Sequence, residues 1–292
     1  MKFNNLKLLS YLKVIIFISS IFYFIYFIFE NLQFFLDLQK IKLDFIFLVL
    51  ILKILNILFL SNINLRILNN LKINLNFMES FEITIKNTLG NLSSPLKLGS
   101  GYKITYLKEH YKLEIKNYIL LNTFFSILNL IPIFLIFILY NIFNSQVRDF
   151  KIVGIVTIIS FLVTLFLIVF QNFQFLKTLK IFSKNNLHIH VNNILFFLSN
   201  TFIVYIIANQ LLPYSSFFSA LAFTSLGFVV NLVNLTPGNI GIKESVLFIF
   251  ENIHGYSLYL LIFISFLERF ISLITLFSIQ FCLKYFPIDK LK

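Results

Sequence analysis

The chain has 292 residues, 59% of them hydrophobic and 12% charged, with a mean hydropathy of +0.89. Such a balance excludes an ordinary soluble enzyme and predicts an all-α, polytopic membrane protein, because apolar runs long enough to cross hydrocarbon recur along the chain. The net charge of +12 lies mostly in loops beside those runs, where it orients spans and meets anionic headgroups, so membrane lipid rather than nucleic acid is the expected partner.

No polar stretch is long enough for a separate soluble domain, so residues 1–292 read as one transmembrane domain. Cys282 is the only cysteine, which excludes an intramolecular disulfide and thiolate zinc clusters. The abundance of Phe, Ile, Asn and Lys without Trp matches an AT-rich coding bias, so single Phe and Asn residues receive little functional weight.

Lys2, Lys7 and Lys13 precede an apolar run from Val14 to Phe29. The run is bulky throughout and lacks a small-residue cleavage site, so it reads as a retained first span with the N-terminus inside. A mixed-charge loop from Glu30 to Asp44 leads to a second span over about Phe45 to Leu60. Lys53 and Asn56 sit inside it, and Lys53 reads as a snorkelling or carboxylate-paired cation in preference to a cavity-lining one. Ser61 to Asn117 has no full-length apolar run and carries Arg66, Lys72, Lys86, Lys97, Lys103, Lys108, Lys112 and Lys116 against four glutamates, which places it on the cytoplasmic side. Within it Phe77 to Leu89 is too short to span: it is an amphipathic surface helix or one arm of a re-entrant hairpin. The Gly/Pro break Asn91 to Lys103 follows.

Spans three and four are expected at roughly Tyr118 to Tyr140, with Pro132 inside, and Ile152 to Phe170. Lys177, Lys180 and Lys184 then bring the chain back to the cytoplasm, and His188 and His190 read as exposed loop histidines rather than metal ligands. A fifth span over about Ile194 to Leu212 ends at Pro213, and Phe217 to Leu235 is apolar again. Asn234 to Glu244 then breaks the helix, because Pro237 lacks an N–H and Gly238 and Gly241 favour turns. The last span runs from about Leu258 to Leu283, and Lys284, Lys290 and Lys292 favour a cytoplasmic C-terminus. Counting each broken segment as a re-entrant hairpin gives six full spans. Counting both arms of the hairpin from Phe217 to His254 as crossings gives eight, with both termini inside either way.

The two breaks resemble each other. Asn91-Leu92-Ser93-Ser94-Pro95 is followed by Gly99 and Lys103, and Asn234-Leu235-Thr236-Pro237 by Gly241 and Lys243. Each follows two spans and precedes one, so the halves 1–142 and 143–292 read as an inverted repeat of the transporter kind. Glu268 and Arg269 lie near the middle of the last span, where each costs roughly 2.5 to 3.5 kcal/mol on insertion scales. Neighbours on a helix point about 100 degrees apart, so each needs another partner. The expected pairs are Lys243 with Glu268 and Glu244 with Arg269, either as a packing network or as the wall of a polar cavity. Lys97 and Lys103 beside the first break could meet phosphate at a helix start, and Lys103 also reads as a residue among lipid headgroups.

Pro95-x-Lys97-x-Gly99 with Lys103 resembles the Pro-x-Arg-x-Gly-x-x-x-Arg pattern of the flippase-like transmembrane region of lysylphosphatidylglycerol synthases and their stand-alone relatives. Pro237-Gly238-Asn239-x-Gly241-x-Lys243-Glu244 is similar to that family's Pro-Gly-Gly-x-Gly-x-Arg-Glu, and Arg269 to an arginine of its late span. Lysine stands for arginine at positions 97, 103 and 243, Asn239 for a glycine, and Ser100 where an acidic residue is common. The resemblance implies a bacterial or archaeal cytoplasmic membrane and a flippase-like transporter for an anionic phospholipid or lipid-linked precursor. It implies Pro95, Lys97, Gly99, Lys103, Pro237, Gly238, Asn239, Gly241, Lys243, Glu244 and Arg269 as the substrate-binding set, to which the intramembrane charge adds Glu268. Nothing after Lys292 supplies the aminoacyltransferase domain of the full-length synthases, so lysine transfer by this chain alone is not expected.

No nucleotide, metal or other cofactor motif is seen. Two other readings stand beside transport: a membrane-embedded enzyme with Glu244 or Glu268 as general base, and an accessory that recruits a glycosyltransferase or lipid-modifying enzyme.

Overall fold

The computed structural model describes residues 42–93, 97–128, 184–211, 216–233 and 258–285, together with Asn239, Lys243 and Leu247. Seven α-helices account for most of them, and no strand occurs among the described residues. In chain order they are α1 (Leu43–Asn70), α2 (Phe77–Ser93), α3 (Leu98–Tyr111), α4 (Ile115–Leu128), α5 (Lys184–Leu211), α6 (Phe217–Val233) and α7 (Leu258–Tyr285). Three stretches, Leu43–Asn70, Asn186–Leu211 and Tyr259–Tyr285, are long and apolar enough to cross a membrane. On α1 the exposed residues Phe47, Leu48, Ile51, Ile54 and Leu55 form an apolar face of the kind lipid covers. The expected first and fourth spans, most of the third, and most of the second break lie outside the described residues.

The second span extends beyond its expected end near Leu60, because α1 continues to Asn70. The polar residues after Leu60 do not stop it, since their side chains find partners: Ser61 donates to the Ile57 carbonyl at 2.7 Å, and Asn64 to Thr84 at 2.9 Å. Helix α1 ends in a left-handed residue, Lys72 (φ 61°). The Lys72 N–H returns to the Asn69 carbonyl and that of Ile73 to Leu68, both at 3.0 Å, a Schellman closure with Leu68 and Ile73 buried together. Asn76 then caps α2 by accepting the Glu79 N–H at 2.7 Å.

The described residues fall into two compact units. One contains residues 51–85 with the described residues from Tyr102 to Phe202. Its core is built from Ile63, Ile67, Leu68, Leu107, Leu121, Phe124, Phe125 and Ile189, contributed by α1, α3, α4 and α5. The other contains α1 up to Leu50, residues 86–101 and the described residues from Ile203 onward. In it Ala220, Leu221, Ala222 and Phe223 of α6 and Leu260, Leu261, Ile262, Phe263 and Ile264 of α7 are buried.

His188 and His190 are not loop residues. Both lie in the first turns of α5, which begins ten residues before the expected fifth span, at Lys184, and both are half-buried. The helix starts early because Asn186 and Asn192 are held by side chains of α1.

Candidate functional site

The first Gly/Pro break is a tight helical turn-back. Gly90 near the end of α2 and Gly99 at the start of α3 touch backbone to backbone: a Cβ on Gly99 would stand 1.9 Å from the Asn87 carbonyl oxygen, and one on Gly90 would stand 2.7 Å from the Gly99 Cα. Only glycine allows that approach. Asn91 Oδ1 accepts the Ser100 N–H at 3.1 Å, so the side chain of one helix caps the first turn of the next, while Asn91 Nδ2 donates to Ser100 Oγ at 3.1 Å. Lys97, partly buried, opens α3 in the left-handed region (φ 56°). Pro95 lies outside the described residues.

Lys103 is not among headgroups at the surface. It is 4% exposed in the unit that holds the end of α1. Its Nζ donates to Asn64 Oδ1 at 2.6 Å and stands 5.3 Å from the centre of the Tyr118 ring. Asn64 passes its own amide hydrogen to Thr84 Oγ1, and Thr84 donates onward to the Ser80 carbonyl at 2.7 Å. The ammonium therefore rests on a neutral amide and an aromatic face. Among the described residues no carboxylate lies within ion-pair distance of it. A buried cation held only by neutral groups is electrostatically incomplete, since burial removes the water that would stabilise its charge.

Lys243 is placed differently, in the other unit. Its Nζ is 3.2 Å from Glu268 Oε2 of α7, with side-chain exposures of 12% and 18%, so one of the two expected ion pairs forms. The stem lies along α6: Nζ sits 4.7 Å from the Phe223 ring centre, and a Cβ at Gly227 would be 3.6 Å from Lys243 Cε. Arg269, partly buried, follows Glu268 on α7. Asn239, where the resemblance has glycine, is 1% exposed with φ 58°. After glycine, asparagine is among the residues that best tolerate that conformation, which accounts for the exchange. Pro237, Gly238, Gly241 and Glu244 lie outside the described residues, and so does the expected pair of Glu244 with Arg269.

Of the residues singled out from the sequence, the structure thus joins Lys243 to Glu268 and sets Gly99 at a helix crossing. Lys103 is held by Asn64 and Tyr118, neither of which the sequence singled out as a site residue. The polar residues inside or beside α1 were the available signal. Lys53, read as snorkelling, is 8% exposed and engaged within the protein.

A further polar cluster lies where α2 begins. Tyr106 donates to Glu79 Oε1 at 2.9 Å, and Tyr111 donates to the same carboxylate at 2.7 Å. Desolvation, then the hydrogen bond to Glu79, pushes the Tyr111 phenol up to about 12 and raises that of Tyr106 further. Comparison with family models, with curated proteins and with solved structures found no match.

Proposed function

We propose that this chain moves the anionic headgroup of a phospholipid or lipid-linked precursor across a membrane while the lipid tail stays in the bilayer. The observation that carries the reading is Lys103, a cation 4% exposed and held by a neutral amide and an aromatic ring. A phosphodiester in that position would complete its charge and hydrogen bonding. The Lys243–Glu268 pair is already neutral and serves to hold α7 to the segment after the second break.

In this reading the α2–α3 turn-back is re-entrant. The helices have 17 and 14 residues, about 26 and 21 Å at 1.5 Å per residue, short of the roughly 30 Å of hydrocarbon. The second break is its inverted counterpart, and the full chain has six spans with both termini cytoplasmic, in the manner of the flippase-like family that the motifs resemble. Irregular backbone at membrane depth is tolerated where it lines a polar path, which is the place this function needs it.

The test is reconstitution of the full chain into vesicles with fluorescent phospholipids and polyprenyl-phosphate sugars. The expected result is faster transbilayer movement of at least one anionic lipid. Lys103→Gln should slow it about tenfold or more, from the loss of a charge-assisted bond of roughly 1.5 to 3 kcal/mol. No acceleration for any lipid overturns the proposal.

A further inference from the structure

Helices α1 and α5 are linked by asparagine pairs. Asn56 Nδ2 donates to Asn200 Oδ1 at 3.0 Å, Asn62 to Asn192 at 3.2 Å, and Asn70 to Asn186 at 2.7 Å. The pairs run from residue 56 to residue 70 on one helix and from 200 back to 186 on the other, about 21 Å of antiparallel helix at 1.5 Å per residue. That is roughly two-thirds of a hydrocarbon core. In every pair the α1 side chain donates and the α5 side chain accepts. Ser199 Oγ adds a bond to Asn56 Oδ1. Beside the seam, Asn193 Nδ2 is buried with no hydrogen-bond partner among the described residues.

Stability does not account for this seam. Hydrogen bonds between membrane helices are individually weak, and van der Waals packing of apolar side chains also holds such helices together. Carboxamides do something apolar side chains cannot: they donate and accept, as hydroxyls do, and so can exchange one another for a hydroxylated ligand. The orphaned amide of Asn193 is a donor already waiting for an oxygen. Arg66, one turn from both Asn62 and Asn70, is partly buried on the same face of α1 and is engaged within the protein.

We propose that the α1–α5 asparagine seam is a water-accessible hydrogen-bonding track for the uncharged, hydroxyl-bearing part of a lipid headgroup. The inference rests on the transport reading above and names the chemistry of the cargo: a polyol or sugar beyond the phosphate.

The experiment uses the full chain in vesicles with Cys282→Ser, which removes the only native thiol. Single cysteines placed by Asn62→Cys and Asn192→Cys should react with a membrane-impermeant maleimide, while Ile51→Cys and Ile194→Cys on exposed apolar positions should not. Unreactive cysteines at both seam positions mean a dry packing contact and overturn the track, whether or not lipid moves. The second arm compares fluorescent phosphatidylinositol with phosphatidylmethanol, which carries the same phosphodiester charge and no hydroxyls. The double variant Asn62→Leu with Asn192→Leu should slow the inositol lipid about thirtyfold, as expected from losing two bonds of roughly 1 kcal/mol each, and leave the methanol lipid within about twofold. Equal slowing of both, or of neither, overturns the track and leaves the transport reading standing. A wild-type chain that moves no lipid overturns both.

Discussion

One buried and one partly buried lysine show how the same side chain takes different roles from its neighbours. Lys243 meets a carboxylate at 3.2 Å, whereas Lys103 meets an amide at 2.6 Å and the face of Tyr118. Removing one member of a buried ion pair leaves the other charge stranded, so Lys243→Met should destabilise the protein by about 3 kcal/mol, with Glu268→Leu costing a similar amount. The double variant should recover most of the loss. Thermal unfolding in detergent across the four proteins checks this, and additive losses would contradict a direct pair. Near Glu79 the phenols of Tyr106 and Tyr111 are raised, so folding favours their protonated form. Their contribution is complete below about pH 10, the ordinary tyrosine value, and fades as pH rises through about 12. Phenolate absorbance during an alkaline titration should therefore show two tyrosines lagging the rest, and Glu79→Gln should bring them closer to the others.

The α2–α3 turn-back brings two glycines, Gly90 and Gly99, into backbone contact. The added methyl of Gly99→Ala would meet the Asn87 carbonyl oxygen at 1.9 Å, well inside contact distance, with backbone on both sides. The helices must separate, and overpacking of this kind costs about 1 to 3 kcal/mol or more. Limited proteolysis between α2 and α3 should become faster in Gly99→Ala, and in Gly90→Ala, than in Gly101→Ala, where a Cβ meets nothing within 4 Å. Equal rates in all three would contradict a crossing at these glycines. The break was legible because Gly and Pro punctuate a helix wherever they occur. The partner glycine and the cap from Asn91 to Ser100 were not, since both require the second helix to be folded back against the first.

Across the molecule, the sequence by itself determined that the chain is helical and carries membrane-length apolar helices. Hydropathy summed over a span tolerates a few polar residues and needs no knowledge of neighbours. It also determined that Glu268 and Arg269 needed partners, because a charge in an apolar run is costly wherever the run sits, and offered Lys243 for Glu268. Asparagine carries no comparable penalty, so its frequency looked like coding bias. Only the tertiary structure decided that Asn56, Asn62 and Asn70 meet residues 144, 130 and 116 positions away. It likewise decided that Lys103 is buried against Asn64 of α1 and Tyr118 of α4, and carried α1 ten residues past its expected end. The physical reason is the same in each case. Whether a polar group ends a helix, faces lipid or becomes a site depends on the atoms that satisfy it, and those come from distant parts of the chain.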